Sequence, residues 1–141
     1  GGAIPKPFAC DGQDQSPPLD WSAPPAGTKG LALVLHDPEA PGGDWAHWVL
    51  YDVPPVARRL DAGVARGAQL PNGVRQGVNS AGVAGYSGPC PPPGPAHHYV
   101  FELSALDSQP ALDAGATRDS LTRASTGHVL ATATLTGTYG R

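Results

Sequence analysis

The chain has no apolar run approaching the roughly 18 residues of a membrane-spanning helix, so no membrane span is expected. Its first residues form no charged-then-apolar export leader. The abrupt Gly1-Gly2 start reads as a trimmed one, so the expectation of a cytoplasmic protein leaves export open. Basic residues are few: nine against twelve acidic ones, for a net charge of -3, with Arg58-Arg59 the one adjacent basic pair. A nucleic-acid surface needs a basic stripe that displaces counterions, so nucleic acid is not an expected partner. Cysteine is scarce too. Cys10 and Cys90 stand far apart and neither belongs to a CxxC pair, which argues against a zinc site. They form either one disulfide or two free thiols, and sequence leaves both open. No Gly-rich segment sits at a strand–helix turn as a nucleotide fingerprint requires, and GYSGP does not match the GxSxG nucleophile elbow. Neither a metal nor a cofactor is expected. There are no internal repeats, heptads or second-domain linker.

What is abundant is glycine and proline, together about a quarter of the 141 residues. That fraction can mark disorder. Here 40% hydrophobic residues are gathered in distinct runs, so the reading is one folded, loop-rich domain spanning 1–141. Residues 1–30 read as a long ordered loop with an extended piece at Leu19-Asp20-Trp21, Trp21 anchoring it to the core. Leu31–His36 (LALVLH) is an almost unbroken apolar run, hence a strand covered on both faces. It stops at Asp37-Pro38, because proline removes a ladder donor and restricts the residue before it. His47–Val53 (HWVLYDV) alternates, placing His47, Val49 and Tyr51 on one face and Trp48, Leu50 and Asp52 on the other. Residues 56–96 read as mostly irregular, and a segment that long without elements is usually functional. His98–Ala105 is a third strand. Thr117–Ala131 is the helix candidate, with Thr117 as N-cap and Leu121, Ala124, His128 and Val129 on one face. Thr132–Tyr139 is a β-branched terminal strand. The expected fold is mainly β, a Greek-key sandwich with one or two short helices.

The polar residues with chemical potential cluster around proline. DPEAP places Asp37 and Glu39 in a loop that prolines stiffen, which lowers the entropy lost on binding. A carboxylate there can hold a histidine in one tautomer. His47 opens a strand just after Trp45. His97 and His98 precede another, and alternation sends them to opposite faces, so at most one joins His47. GPCPPPGP offers a rigid rim whose amides near Gly88 and Cys90 form an anion nest. Each feature alone has a plainer explanation: an Asp-capped turn, a structural histidine, a Pro-rich linker. Cys90 is read as a buried thiol or half-disulfide ahead of a nucleophile. Tyr86 either closes a pocket or packs, Tyr51 packs, and His128 is structural.

Taken in order, IPKPFACDGQDQSPPLDW, LALVLHDPEAP, WAHWVLYDVP, GYSGPCPPPGPAHHYVFELSALD and GHVLATATLTGTYGR resemble the phosphatidylethanolamine-binding protein (PEBP) family. The closer likeness is to its bacterial and archaeal, Raf kinase inhibitor-like branch. The resemblance implies a large antiparallel sheet packed on a smaller one, with helices near the C-terminus. It implies a pocket for phosphate, phosphoryl headgroups, acetate or similar anions. Carried over by motif, Asp37, His47 and His97 form its polar centre and Gly88 and Pro89 its rim. Pro41, Trp45 and Tyr99 are secondary, and Tyr86 and Cys90 complete the candidate set. The bond before Pro41 resembles one that is cis in the family. Glu39 stands where aspartate is usual and His98 where arginine is usual. The chain starts where the family normally still has a strand, so a first strand is expected to be missing or the sheet edge completed differently.

Two function classes follow. The first is a module that binds a small anion or phosphoryl group and modulates a partner protein such as a kinase or protease. The second is an enzyme using the histidines and carboxylate for acid–base chemistry, as an isomerase, epimerase, dehydratase or esterase. No catalytic residue is assigned. Homodimerisation is implied by the resembled branch alone.

Overall fold

The computed structural model describes residues 1–141. In chain order its elements are β1 (Leu19–Asp20), β2 (Gly30–Asp37), β3 (Trp45–Val53), β4 (Arg59–Leu60), β5 (Arg75–Gln76), β6 (His97–Leu106), α1 (Arg118–Ser125) and β7 (Val129–Tyr139). Five strands form one antiparallel sheet in the order β5-β3-β2-β6-β7, and β1 pairs with β4 in a small second sheet. The chain leaves the β2–β3 hairpin, wanders through residues 54–96, and returns as β6 beside β2.

The apolar run of β2 explains this arrangement. Leu31, Leu33 and Leu35 point to one face, where they meet Trp48, Leu50, Tyr99 and Phe101. Leu19, Trp21 and Leu60 of the small-sheet layer pack on that cluster. Trp21 is anchored further by its indole N–H, which donates to the Ala57 carbonyl at 3.0 Å. Ala32 points to the opposite face, into a cluster with Val49, Tyr51, Leu106 and Leu121 of α1. A strand buried on both faces has no room for polar alternation, and each large side chain so buried contributes about 1.5–3 kcal/mol.

Strict alternation fails on β3, with consequences for the site. The β2–β3 register runs Leu35↔Trp48 and then His36↔Ala46, so His47 is an extra residue on β3. Such a bulge re-aims a side chain. Ala46 and Val49 lie in the Ala32 cluster and Trp48 in the Leu35 cluster. His47 turns to the Trp48 side, edge-on to Tyr99 with ring centroids 5.4 Å apart, and not to the face of Val49 and Tyr51. A second shift, Leu31↔Val53 then Leu33↔Leu50, falls at Asp52, whose φ is 57°.

The helix is shorter than expected. Thr117 does cap it, accepting from the Ser120 amide at 3.2 Å, but α1 ends at Ser125. Gly127 takes a φ of +83°, and the chain turns at once into β7, where Val129 pairs with Leu106. The helical periodicity through His128 and Val129 was thus overridden by sheet pairing. All peptide bonds are trans, including that before Pro41. The tight turn there is closed by hydrogen bonds from Ala40 N to Asp37 O and from Gly43 N to Ala40 O. At the sheet edge, Ala3 bridges Thr138 in parallel sense, and the Gly1 amine donates to the Thr136 carbonyl. No helix is long and apolar enough to cross a membrane.

Two buried amides order the long irregular segment. Gln76 accepts from the Trp48 indole at 2.7 Å and donates to the carbonyls of Ala65 and Gly67. The Asn79 side chain donates to His47 O, Gly85 O and Ser87 Oγ, and accepts from the amides of Ala81 and Val83. Every polar atom of both amides is satisfied, so the loop has a core of hydrogen bonds where it lacks a core of side chains.

Candidate functional site

The ends of β2, β3 and β6 converge on a cleft of about 560 Å³ at one end of the large sheet. Asp37 closes β2 and is 3% exposed. Its Oδ1 accepts from the Glu39 amide at 2.8 Å, an Asx-type turn that follows from aspartate preceding proline. Its Oδ2 accepts from His97 Nδ1 at 2.7 Å. His47, on the bulge, donates Nδ1–H to the Ser87 carbonyl at 2.7 Å, while the Ser87 amide donates back to the His47 carbonyl.

These bonds fix the chemistry of both rings. A carbonyl and a carboxylate only accept, so each Nδ1 carries the proton and each Nε2, in the neutral ring, is a bare lone pair. No protein group hydrogen-bonds either Nε2. Burial holds the His47 imidazole below its ordinary pKa, with the Ser87 carbonyl and the charges of Asp37 and Asp14 offsetting part of that effect. His47 is therefore neutral at pH 7. Tyr99 lies between the two rings, edge-on to His47 and nearly parallel to His97 at 6.4 Å. Burial pushes its phenol well above the usual range, so it stays a hydroxyl.

The other candidates divide. Pro41, Trp45, Gly88, Cys90 and Tyr99 line the cleft together with Asp37, His47 and His97, and Trp45 stands at its mouth, 39% exposed. Tyr86 and Pro89 do not line it. Tyr86 is buried edge-on against Trp48 and donates its hydroxyl to Phe8 O, so it packs beneath the wall. Pro89 is buried, its carbonyl accepting from the Cys10 amide at 3.1 Å. Cys90 is neither a buried thiol nor a nucleophile. It forms a disulfide with Cys10, and both half-cystines border the cleft.

The Gly88 amide also differs from the nest read in the sequence. It donates to Asp14 Oδ1 at 2.6 Å, so a carboxylate of the chain itself already occupies that donor. Gly88 is required there for another reason: a Cβ would stand 2.2 Å from Phe8 O. His98 points away from the cleft. Both its amide and its Nδ1 meet Glu39 Oε1, at 2.6 and 2.8 Å, and these bonds hold the Glu39 carboxyl below its usual range. Two of the departures from the resembled pattern, Glu39 and His98, are thus partners of one another. Sequence reasoning missed Asp14, Ser87 and Arg141 on the cleft wall and Asn79 behind it. No local motif marks them. No group of three or more His, Cys, Asp or Glu side chains is arranged to hold a metal ion.

Residues 1–140 match the family model described as phosphatidylethanolamine-binding protein. The chain belongs to the PEBP family. PEBP relatives include a UPF0098 protein of the archaeon Methanothermobacter thermautotrophicus, 45% identical over 99% of this chain and 92% of the relative. Another, from Aquifex aeolicus, is 41% identical over 100% of this chain and 83% of its own length. Among solved PEBP structures, Escherichia coli YbcL superposes with a TM-score of 0.92 at 34% identity, covering 100% of this chain and 92% of that one. A PEBP homologue from Chlamydia trachomatis gives 0.90 at 40% identity, covering 100% and 91%. The large and small antiparallel sheets found here are the PEBP fold.

Proposed function

We propose that the cleft binds a small anion or phosphoryl group, taken up together with a proton. The observation that carries this reading is the pair of Nε2 lone pairs left facing a cleft by the Nδ1 bonds of His47 and His97. A bare lone pair repels an anion, whereas a protonated imidazole attracts and hydrogen-bonds it. Ligand binding therefore raises the His47 pKa, and affinity for a phosphate-like ligand increases as pH falls below about 6.5. Asp37 supports the arrangement by compensating the positive charge that His97 gains on protonation. Calorimetric titration with inorganic phosphate and with phosphoethanolamine at pH 6 and 8 tests the reading. Equal affinity in wild type and His47→Ala at pH 6 would sink it.

A second reading has one observation in its favour. An imidazole oriented by a buried carboxylate, as His97 is by Asp37, is the arrangement of a general base. Neither imidazole is hydrogen-bonded to a serine hydroxyl, and both cysteines are tied up in the disulfide. Turnover of a phosphoester or activated ester that both His47→Ala and Asp37→Asn abolish would move the assignment from binding protein to enzyme.

A further inference from the structure

We infer that Arg141 is the pH-independent anchor of the cleft and tunes it toward phosphoryl groups over carboxylates. This rests on the anion-binding reading above and deepens it.

Arg141 reaches the cleft through strand pairing. His97 on β6 lies opposite Tyr139 on β7, so the residue two beyond Tyr139 falls beside the entry to β6. Gly140 permits the close approach, since a Cβ there would stand 3.0 Å from Ala96 Cα. The Gly94 amide then ties down the backbone by donating to Arg141 O at 3.1 Å. The guanidinium is fixed at two points: Nε donates to Pro91 O at 2.8 Å, and Nη1 donates to Asp11 Oδ1 at 3.1 Å. Asp11 is itself held by the Tyr139 hydroxyl at 2.8 Å. Nη2 has no protein partner. The side chain is thus pre-oriented, with donors to spare on a residue that lines the cleft.

The charges around it explain why this matters. Two carboxylates border the cleft. Asp37 is answered by His97, and Asp14 by the Gly88 amide and, at 3.4 Å, by Arg66. His47 is neutral at pH 7, and Tyr99 is uncharged throughout the accessible range. The guanidinium is the one permanently charged cation lining the cleft, and it cannot be deprotonated. Any anion bound at pH 8 must be bound largely by Arg141. A carboxylate has two coplanar oxygens, enough to meet the two imidazoles in their protonated form. A phosphoryl group has three oxygens that are not coplanar, so it can meet the imidazoles and still offer oxygen to the guanidinium fork.

Inorganic phosphate and acetate titrated by calorimetry into wild type, Arg141→Gln, Arg141→Lys and His47→Ala at pH 6 and 8 test the inference. Arg141→Gln should weaken phosphate about tenfold or more at both pH values and acetate at pH 6 by less than about threefold. Arg141→Lys, which keeps the charge and loses the fork, should recover part of the loss. His47→Ala should weaken both ligands at pH 6 and neither much at pH 8. Unchanged phosphate affinity in Arg141→Gln at pH 8, beside a clear His47→Ala effect at pH 6, overturns the role of Arg141 and spares the site. Loss in neither variant overturns the site itself. Should Arg141→Gln fail to fold, Arg141→Lys decides alone: wild-type selectivity for phosphate over acetate in that variant refutes the fork.

Discussion

Replacing Cys10 and Cys90 together by serine should remove a large fraction of this protein's stability while leaving its native shape intact. The disulfide spans 80 residues of sequence. A cross-link of that span restricts the unfolded chain, and loop-closure entropy puts the effect at about 4.5 kcal/mol at 25 °C. Typical domain stability is about 5–15 kcal/mol, so a third or more is at stake. Native strain does not offset the gain: the Cα atoms lie 5.4 Å apart, within the range bridged without backbone movement. The folded variant keeps its seam through Cys10 N to Pro89 O, Gly88 N to Asp14 Oδ1 and the Tyr86 hydroxyl to Phe8 O. The loss therefore lies in the unfolded ensemble. Urea denaturation followed by fluorescence, with the buried Trp48 as reporter, is the assay. With an m-value of about 2 kcal/mol/M, the midpoint should fall by about 2 M, and m should rise slightly as the unfolded chain opens. Alkylation of unreduced protein should label neither cysteine. A stability loss under about 1 kcal/mol would refute the reasoning, since residues 1–14 would then contribute to folding independently of the cross-link.

Two further outcomes are expected. Asp37→Ala strands the Glu39 amide and His97 Nδ1 without acceptors in a half-buried place, and should cost about 1–3 kcal/mol in the same urea assay; Asp37→Asn, which keeps one acceptor, should cost less. His47, whose pKa is depressed by burial, binds its proton more readily when unfolded. Its contribution to stability is therefore complete above about pH 6.5 and is lost as pH falls from there through the folded pKa. An NMR titration of the imidazole should place its midpoint below that of a free histidine, and a midpoint at or above the free value would contradict the desolvation account.

Much of the fold was legible because it is locally encoded. The doubly buried β2 shows as an unbroken apolar run, Thr117 announces the start of α1, and proline after Asp37 ends a strand where the sequence says it should. The helix stops short of its periodic pattern, which continues past Gly127, because the backbone obeys the pairing of Val129 with Leu106. A partner 23 positions away outweighs a local preference worth tenths of a kcal/mol per residue. His47 departs from simple alternation for a related reason. A bulge is defined by the neighbouring strand, so its effect on facing cannot be read from HWVLYDV alone.

For the candidate site, sequence by itself determined the chemical cast: an aspartate between strand and proline, a histidine opening one strand, another before the next, and a stiff Pro-Gly frame. It also determined that His97 and His98 part company, since consecutive strand residues face opposite ways. Tertiary structure decided the pairings. Asp37 with His97, Glu39 with His98, Asp14 with the Gly88 amide, and Cys10 with Cys90 join positions 59 to 80 residues apart. It also decided that Arg141 stands at the cleft, a consequence of β7 running alongside β6. A residue's chemistry is a property of its side chain, whereas its protonation and its partners depend on which distant groups the packed sheet brings within hydrogen-bond reach.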